Sequence, residues 1–212
     1  MSIETSRDPY ESPPLRESDL SDDPIVQLRR WLDDAYAVPA LGEPNAMTLA
    51  TASPQGRVSA RVVLLRGLDA SGLSFYTSYF SRKAAELAVN PYAAATFFWA
   101  QLHRQVRVEG TVAQLSEDES DAYFATRPRG HQLSAWASEQ SAMLDRRETL
   151  SERMQHFDER FAGEDVPRPH SWGGYVLRPD YVEFWQGQGS RLHDRLCYAR
   201  VNSGWSIRRL QP

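Results

Sequence analysis

MTLATASPQGRVSARVVLLRGLDASGLSFYT, residues 47–77, holds three short apolar stretches separated only by turn chemistry. Met47–Ala52 is the first, and Ser53-Pro54-Gln55-Gly56 turns the chain after it. Ser59–Leu68 is the second; its Val62-Val63-Leu64-Leu65 run suits a strand buried on both faces. Asp69-Ala70-Ser71-Gly72 then leads into Leu73–Thr77. A doubly wound α/β sheet needs a helix after each strand, and none is present here. Successive strands with turns between them point to a β-barrel with helical excursions.

The flanking sequence keeps to that pattern. Residues 1–22 are polar and proline-containing and read as a flexible lead to one domain over 23–212. Asp23-Pro24 reads as N-cap and first helical residue, and Ile25, Leu28, Leu32 and Tyr36 recur at helical spacing to about Val38. Ser81 caps a helix that Asn90-Pro91 stops. Tyr92–Trp99 and Gln105–Leu115 read as strands. Helices are expected over Glu117–Thr126, His131–Glu139 and Arg146–Phe161. The chain returns to β over Gly174–Leu177, Tyr181–Trp185, Leu196–Val201 and Trp205–Leu210. The class is α+β, mainly β.

Composition excludes several functions. The 212 residues suffice for one substantial core. No apolar run is long enough to span a membrane, and no secretory signal opens the chain, so a cytoplasmic protein is expected. A net charge of −4 argues against nucleic acid as the main partner. The single cysteine, Cys197, reads as a small buried strand residue, and the five histidines form no metal-binding pair. Neither a Rossmann glycine motif nor a P-loop is present, and Gly187-Gln188-Gly189 reads as a turn. A bound organic cofactor is the remaining source of redox or group-transfer chemistry.

Three clusters could hold such a group. Arg61 and Arg66 end an apolar strand, and Ser81-Arg82-Lys83 opens a helix whose free N–H groups favour phosphate. Of the 24 basic residues only Lys83 is a lysine, which marks a place where a compact ammonium is required. Tyr123 and Arg127 share one helical face, with His131 and then Gln140-Ser141 beyond. Arg191, His193 and Arg195 alternate, so a strand there would set three cationic or titratable groups on one face, which repel one another unless an anion or an acid compensates.

With these residues the chain resembles the pyridoxamine 5′-phosphate oxidases over nearly its whole length. The most specific stretches are RVVLLR, FYTSYFSRKAAEL, RQVRVEG, YFATRPRG, SEQS, SWGGY, EFWQGQGSRLHDR and RRLQP. The resemblance implies an FMN-binding split β-barrel, Greek-key-like, and a homodimer with FMN at the subunit interface. It implies FMN contacts from Arg61, Val62, Val63, Leu64, Leu65, Arg66, Tyr76, Thr77, Arg82, Lys83, Gln105, Gln140, Ser141, Trp185 and Arg195. It implies substrate contacts from Arg66, Tyr123, Arg127, His131, Arg191 and His193, the last two catalytic. Arg7 and Tyr10 match the family's N-terminal R-x-x-Y, which closes over the substrate. The implied reaction oxidises pyridoxamine or pyridoxine 5′-phosphate to pyridoxal 5′-phosphate with dioxygen. Arg66 and His131 stand where the family usually has lysine and serine. The competing expectations are a phenazine-biosynthesis flavin oxidase of the same fold and a non-catalytic binder of flavin or pyridoxal phosphate.

Overall fold

The computed structural model describes Tyr10, residues 12–202 and residues 204–212. Among the described residues, nine strands form one antiparallel sheet: β1 (Ala46–Ala52), β2 (Val58–Leu64), β3 (Gly67–Asp69), β4 (Gly72–Ser78), β5 (Tyr92–Trp99), β6 (Arg104–Gln114), β7 (Trp172–Gln186), β8 (Asp194–Val201) and β9 (Gly204–Leu210). Five helices punctuate them: α1 (Pro24–Tyr36), α2 (Arg82–Val89), α3 (Glu117–Ala125), α4 (Arg129–Ala137) and α5 (Glu148–Arg160).

The order across the sheet is β2-β1-β5-β6-β7-β4-β3, with β8 on β7 and β9 on β8. β7 is the branching strand. Its first half pairs with β4 through Trp172–Leu177, and its second half pairs with β8 through Tyr181–Gln186. β6 runs beside both halves, with a bulge between Glu109 and Gly110 opposite Pro179. Proline removes a ladder donor, so it is tolerated where the ladder changes partner. Gly110 is required there: a Cβ would lie inside contact distance of the Arg178 carbonyl. The two strands expected over Gly174–Leu177 and Tyr181–Trp185 are therefore one, bent at Pro179.

Ser59–Leu68, by contrast, is two strands. Leu65 N still donates to Asn45 O beyond β1, but Arg66 N donates to Ser74 O, so the chain leaves β1 and joins β4. Nor is the apolar run buried on both faces. β2 is the last strand on its side of the sheet, and Val62 is exposed. The expected Arg191–Arg195 strand is also corrected. Gly189–Arg191 is a 3-10 turn with positive φ at Ser190 and Arg191, and β8 starts at Asp194.

The core lies between the sheet and α1. Asp23 accepts from Ile25 N at 2.7 Å and fixes the helix start. Leu28, Trp31, Leu32 and Ala35 bury one stripe, while Tyr36, expected on it, is exposed. A second cluster of Phe124, Leu133, Phe161, Val166 and Trp172 holds α3, α4 and α5 against the start of β7. Of the lead, Leu15 is buried, its N–H donates to Asp194 at 3.0 Å, and Glu17 pairs with Arg209. Cys197 is buried in β8, as expected. No helix among the described residues is long and apolar enough to cross a membrane.

Candidate active site

A cavity of about 850 Å³ opens along the free edge of β2. That volume is of the order of cofactor pockets, roughly 300–1,000 Å³. β2 contributes Arg61, Val62, Val63 and Leu64, β4 contributes Tyr76 and Thr77, and Arg66, Lys83, Tyr123, Arg127, His131 and Gln140 complete most of the wall. Thr126, Pro128 and Trp172 also line it. Leu65 is turned into the core, and Arg82 and Ser141 stand just outside the lining.

One end is built around Lys83. Its ammonium is buried and donates to Thr77 Oγ1 at 3.0 Å and to Gln140 Oε1 at 2.6 Å. Burial, with the Arg61 charge second, pulls its pKa down to about 8. Ser81 caps α2, and Arg82 N at the same terminus donates to Ser141 Oγ at 3.1 Å. Ser141 holds a positive φ of 75° to reach it. Arg61 donates to Thr51 Oγ1 at 2.6 Å and to Ser59.

The other end is aromatic and cationic. Tyr76 stacks on Tyr123 at 3.8 Å, and Trp172 extends the stack. The Arg127 guanidinium lies 4.4 Å from the Trp172 ring centre. Among the described residues its Nη1 is buried without a hydrogen-bond partner. A buried donor in that state is costly unless a ligand accepts from it. Arg66 and His131 are exposed at the rim.

Gln105, Trp185, Arg195, Arg191 and His193 are elsewhere in the chain and do not line this cavity. Gln105, Trp185 and Arg195 are direct neighbours across β6, β7 and β8. The charge row read in the sequence is already compensated at one member, since Arg195 makes two bonds to buried Glu183 at 2.9 and 3.0 Å. His193 packs 4.7 Å from the Trp185 ring, and its Nδ1 accepts from Gln188 N at 3.0 Å, which puts the neutral ring's proton on Nε2. Burial, then the Arg191 charge, lowers the pKa of His193. Tyr10 lies 5.7 Å from His193 and 4.4 Å from His103, over Gly187, where a Cβ would collide with its ring. Arg7 lies outside the described residues.

Sequence reasoning gave no role to Trp172, His103, Glu86 or Glu183, although Glu183 opens the stretch that leads to Arg191, His193 and Arg195. Glu86 and Glu183 stand inside the quoted stretches FYTSYFSRKAAEL and EFWQGQGSRLHDR, but an acid among basic residues reads as a surface pair.

A model described as pyridoxamine 5′-phosphate oxidase matches residues 34–160, and one described as the pyridoxine 5′-phosphate oxidase C-terminal dimerisation region matches 172–212. The chain belongs to the pyridoxamine 5′-phosphate oxidase family. It is 56% identical over 198 residues to the pyridoxine/pyridoxamine 5′-phosphate oxidase of Rubrobacter xylanophilus, covering 93% of this chain and 91% of that one. The relative of the same description from Acaryochloris marina is 48% identical over 211 residues, covering 100% and 96%. Among solved structures, PhzG from Burkholderia lata 383, in complex with tetrahydrophenazine-1-carboxylic acid, superposes with a TM-score of 0.88 at 34% identity, covering 95% and 99%. A pyridoxamine 5′-phosphate oxidase-related, FMN binding protein from Nostoc punctiforme, 20% identical with a TM-score of 0.71, shares the fold.

FMN is the cofactor of a pyridoxamine 5′-phosphate oxidase, and the residues present fit it. Lys83, Arg61 and the α2 N-terminus are cationic or donor-rich groups, partly desolvated, that would hold its phosphate. The unpaired edge of β2 offers backbone groups to a planar polar ring.

Proposed function

We propose that this chain is an FMN-dependent oxidase converting pyridoxamine 5′-phosphate or pyridoxine 5′-phosphate to pyridoxal 5′-phosphate in the cytoplasm. The observation that carries this reading is that one cavity is lined by Arg61 and Lys83 and also by Arg66 and Arg127, cations enough for two anionic groups. Lys83, Arg61 and Arg82 take the cofactor phosphate. Arg127, Arg66, Tyr123 and His131 take the substrate phosphate, which fills the partnerless Nη1 of Arg127. When bound, FMN would supply the redox chemistry, accepting the hydride lost from substrate C4′ and being reoxidised by dioxygen to give hydrogen peroxide, while water hydrolyses the imine formed from the amine and releases ammonia.

The remaining residues arrive from a second copy. Side chains two apart on a strand share a face, so Phe98, Gln105, Trp185 and Arg195 point to the same side as Thr96, Arg107 and Glu183. Val62, paired with Thr48 and through it with Thr96, is on that side too, as are Val58 and Tyr92. Val58, Val62, Tyr92 and Phe98 are all exposed apolar groups. Covering this face with its symmetry mate buries them, and it brings Gln105, Trp185 and Arg195 of the partner subunit toward the cavity mouth beside Val62. Arg191 and His193 follow on the same loop and act at C4′. Arg191 stabilises developing negative charge, and the Nε2–H of His193 orients the substrate. Tyr10, which packs beside His193, closes over it from the lead.

A second reading is a phenazine-type oxidase, supported by the superposition on PhzG and by His131 and Arg66. The B6 phosphate is favoured because its charge of roughly −1.5 to −2 matches Arg66 and Arg127 together, whereas the single carboxylate of a tricyclic acid neutralises only one of them. The test is to incubate the purified protein with each B6 phosphate and with a phenazine precursor, following pyridoxal 5′-phosphate and peroxide. Production of both from a B6 phosphate is expected. Turnover of the phenazine precursor alone overturns the reading.

A further inference from the structure

Glu86 is a buried carboxylate outside the cavity lining, against Arg61 at the cationic end, and the mechanism above does not use it. It sits on α2, one turn beyond Arg82 and Lys83. Four donors converge on it. Oε2 accepts from Thr51 at 2.5 Å and from Ser59 at 2.6 Å, and Arg61 approaches the same oxygen at 3.5 Å. Oε1 accepts from Arg82 Nε at 2.9 Å. Thr51 and Ser59 in turn accept from Arg61. One carboxylate thus ties β1, β2 and α2 together through the two arginines that flank the lysine.

We propose that Glu86 is a positioning residue for the FMN phosphate: it holds Arg61 and Arg82 in the geometry that, with Lys83, receives a phosphomonoester. The inference rests on the flavin-site reading above. Arg82 is largely exposed, and without Glu86 nothing among its described contacts fixes its guanidinium. Arg61 would keep its hydroxyl partners, but those hydroxyls would lose the acceptor that orients them. The three cations and one carboxylate sum to two positive charges, matching the roughly −1.5 to −2 of a phosphomonoester. Burial opposes the charge on Glu86, yet the bonds from Ser59, Thr51 and Arg82 outweigh it and hold the carboxyl at about 2, so it stays ionised across the working range.

The sign of one measurement decides the matter. Removing a negative charge beside a phosphate tightens binding by Coulomb attraction alone. Loss of positioning weakens it. Glu86→Gln keeps the shape but has only one acceptor oxygen, so it can serve Arg82 or the hydroxyl pair, not both. Full-length wild-type and Glu86→Gln proteins, freed of flavin, are titrated with FMN and with riboflavin by fluorescence quenching. FMN is expected to bind the variant about tenfold more weakly, about 1.4 kcal/mol, with riboflavin unchanged within twofold. Tighter or unchanged FMN binding, or equal losses for both flavins, overturns the role. Wild-type protein that does not prefer FMN over riboflavin overturns the site reading instead. Should Glu86→Gln not fold, Ser59→Ala removes the shared hydroxyl and is expected to weaken FMN alone, about threefold; equal effects on both flavins again reject the role.

Discussion

The ammonium of Lys83 is destabilised by burial, so its protonation is linked to folding and, on the proposed function, to binding of the FMN phosphate. In the unfolded chain Lys83 titrates near 10.5, and in the flavin-free fold near about 8. Between those values the unfolded chain holds the proton and the folded chain does not. Stability of the flavin-free protein therefore rises with pH across that window, and below it the penalty is fully present. FMN needs the charged form, so its affinity moves the opposite way. We expect about tenfold weaker FMN binding at pH 9 than at pH 7, with Lys83→Met abolishing the difference; a flat wild-type profile would sink the linkage. At the other end, Arg127→Gln is expected to raise KM for pyridoxamine 5′-phosphate roughly 10- to 100-fold, the worth of a charge-assisted bond, at unchanged flavin content. An unchanged KM would show that the phosphate sits elsewhere. Lys83 stood out in the sequence because it has no duplicate. Arg127 stood out only with Tyr123, since burial of a single guanidinium nitrogen against Trp172 depends on a contact 45 positions away.

Among the elements, β7 shows where local signals mislead. Arg178-Pro179-Asp180 looks like a strand break, and in the fold it is the place where one strand changes partners from β4 to β8. The matching device on β6 is Gly110, whose missing Cβ admits the Arg178 carbonyl. Gly110→Ala is expected to cost about 1–3 kcal/mol and to lower Tm by roughly 2–10 °C. Gly204→Ala, with open space around its Cβ, is the matched control. Equal melting of the two variants would show that the fork tolerates a side chain. Most strands and helices were legible because amphipathic spacing and caps act within a few residues, as at Asp23 and Ser81. The 189–195 segment was not, because alternation of Arg191, His193 and Arg195 mimics a strand while Ser190 and Arg191 adopt the left-handed region. The hydrogen bond from Gln188 N to His193 closes that turn, and it joins residues no strand would bring together.

At the scale of the whole molecule, the resemblance implied one set of flavin contacts and the single chain divides it in two. Arg61, Lys83 and Gln140 surround the cavity, while Gln105, Trp185 and Arg195 lie on the outer face of β6–β8. No periodicity in the sequence reveals that division, because it is a property of symmetry. The exposed face is where the proposed second copy would sit: Val58, Val62, Tyr92 and Phe98 are 70%, 66%, 65% and 60% exposed, a patch that water disfavours. A charge placed there should separate the copies without touching the cavity lining. Phe98→Asp, with Val58→Asp added if one change is insufficient, is expected to give a folded monomer by analytical ultracentrifugation. That monomer should also lose most of its flavin, because the half-site on the partner subunit is gone. A monomer that keeps full flavin absorbance would show that one chain suffices to hold FMN, and Gln105, Trp185 and Arg195 would then need another role. A dimer that persists would move the interface to a different face and leave the apolar patch unexplained.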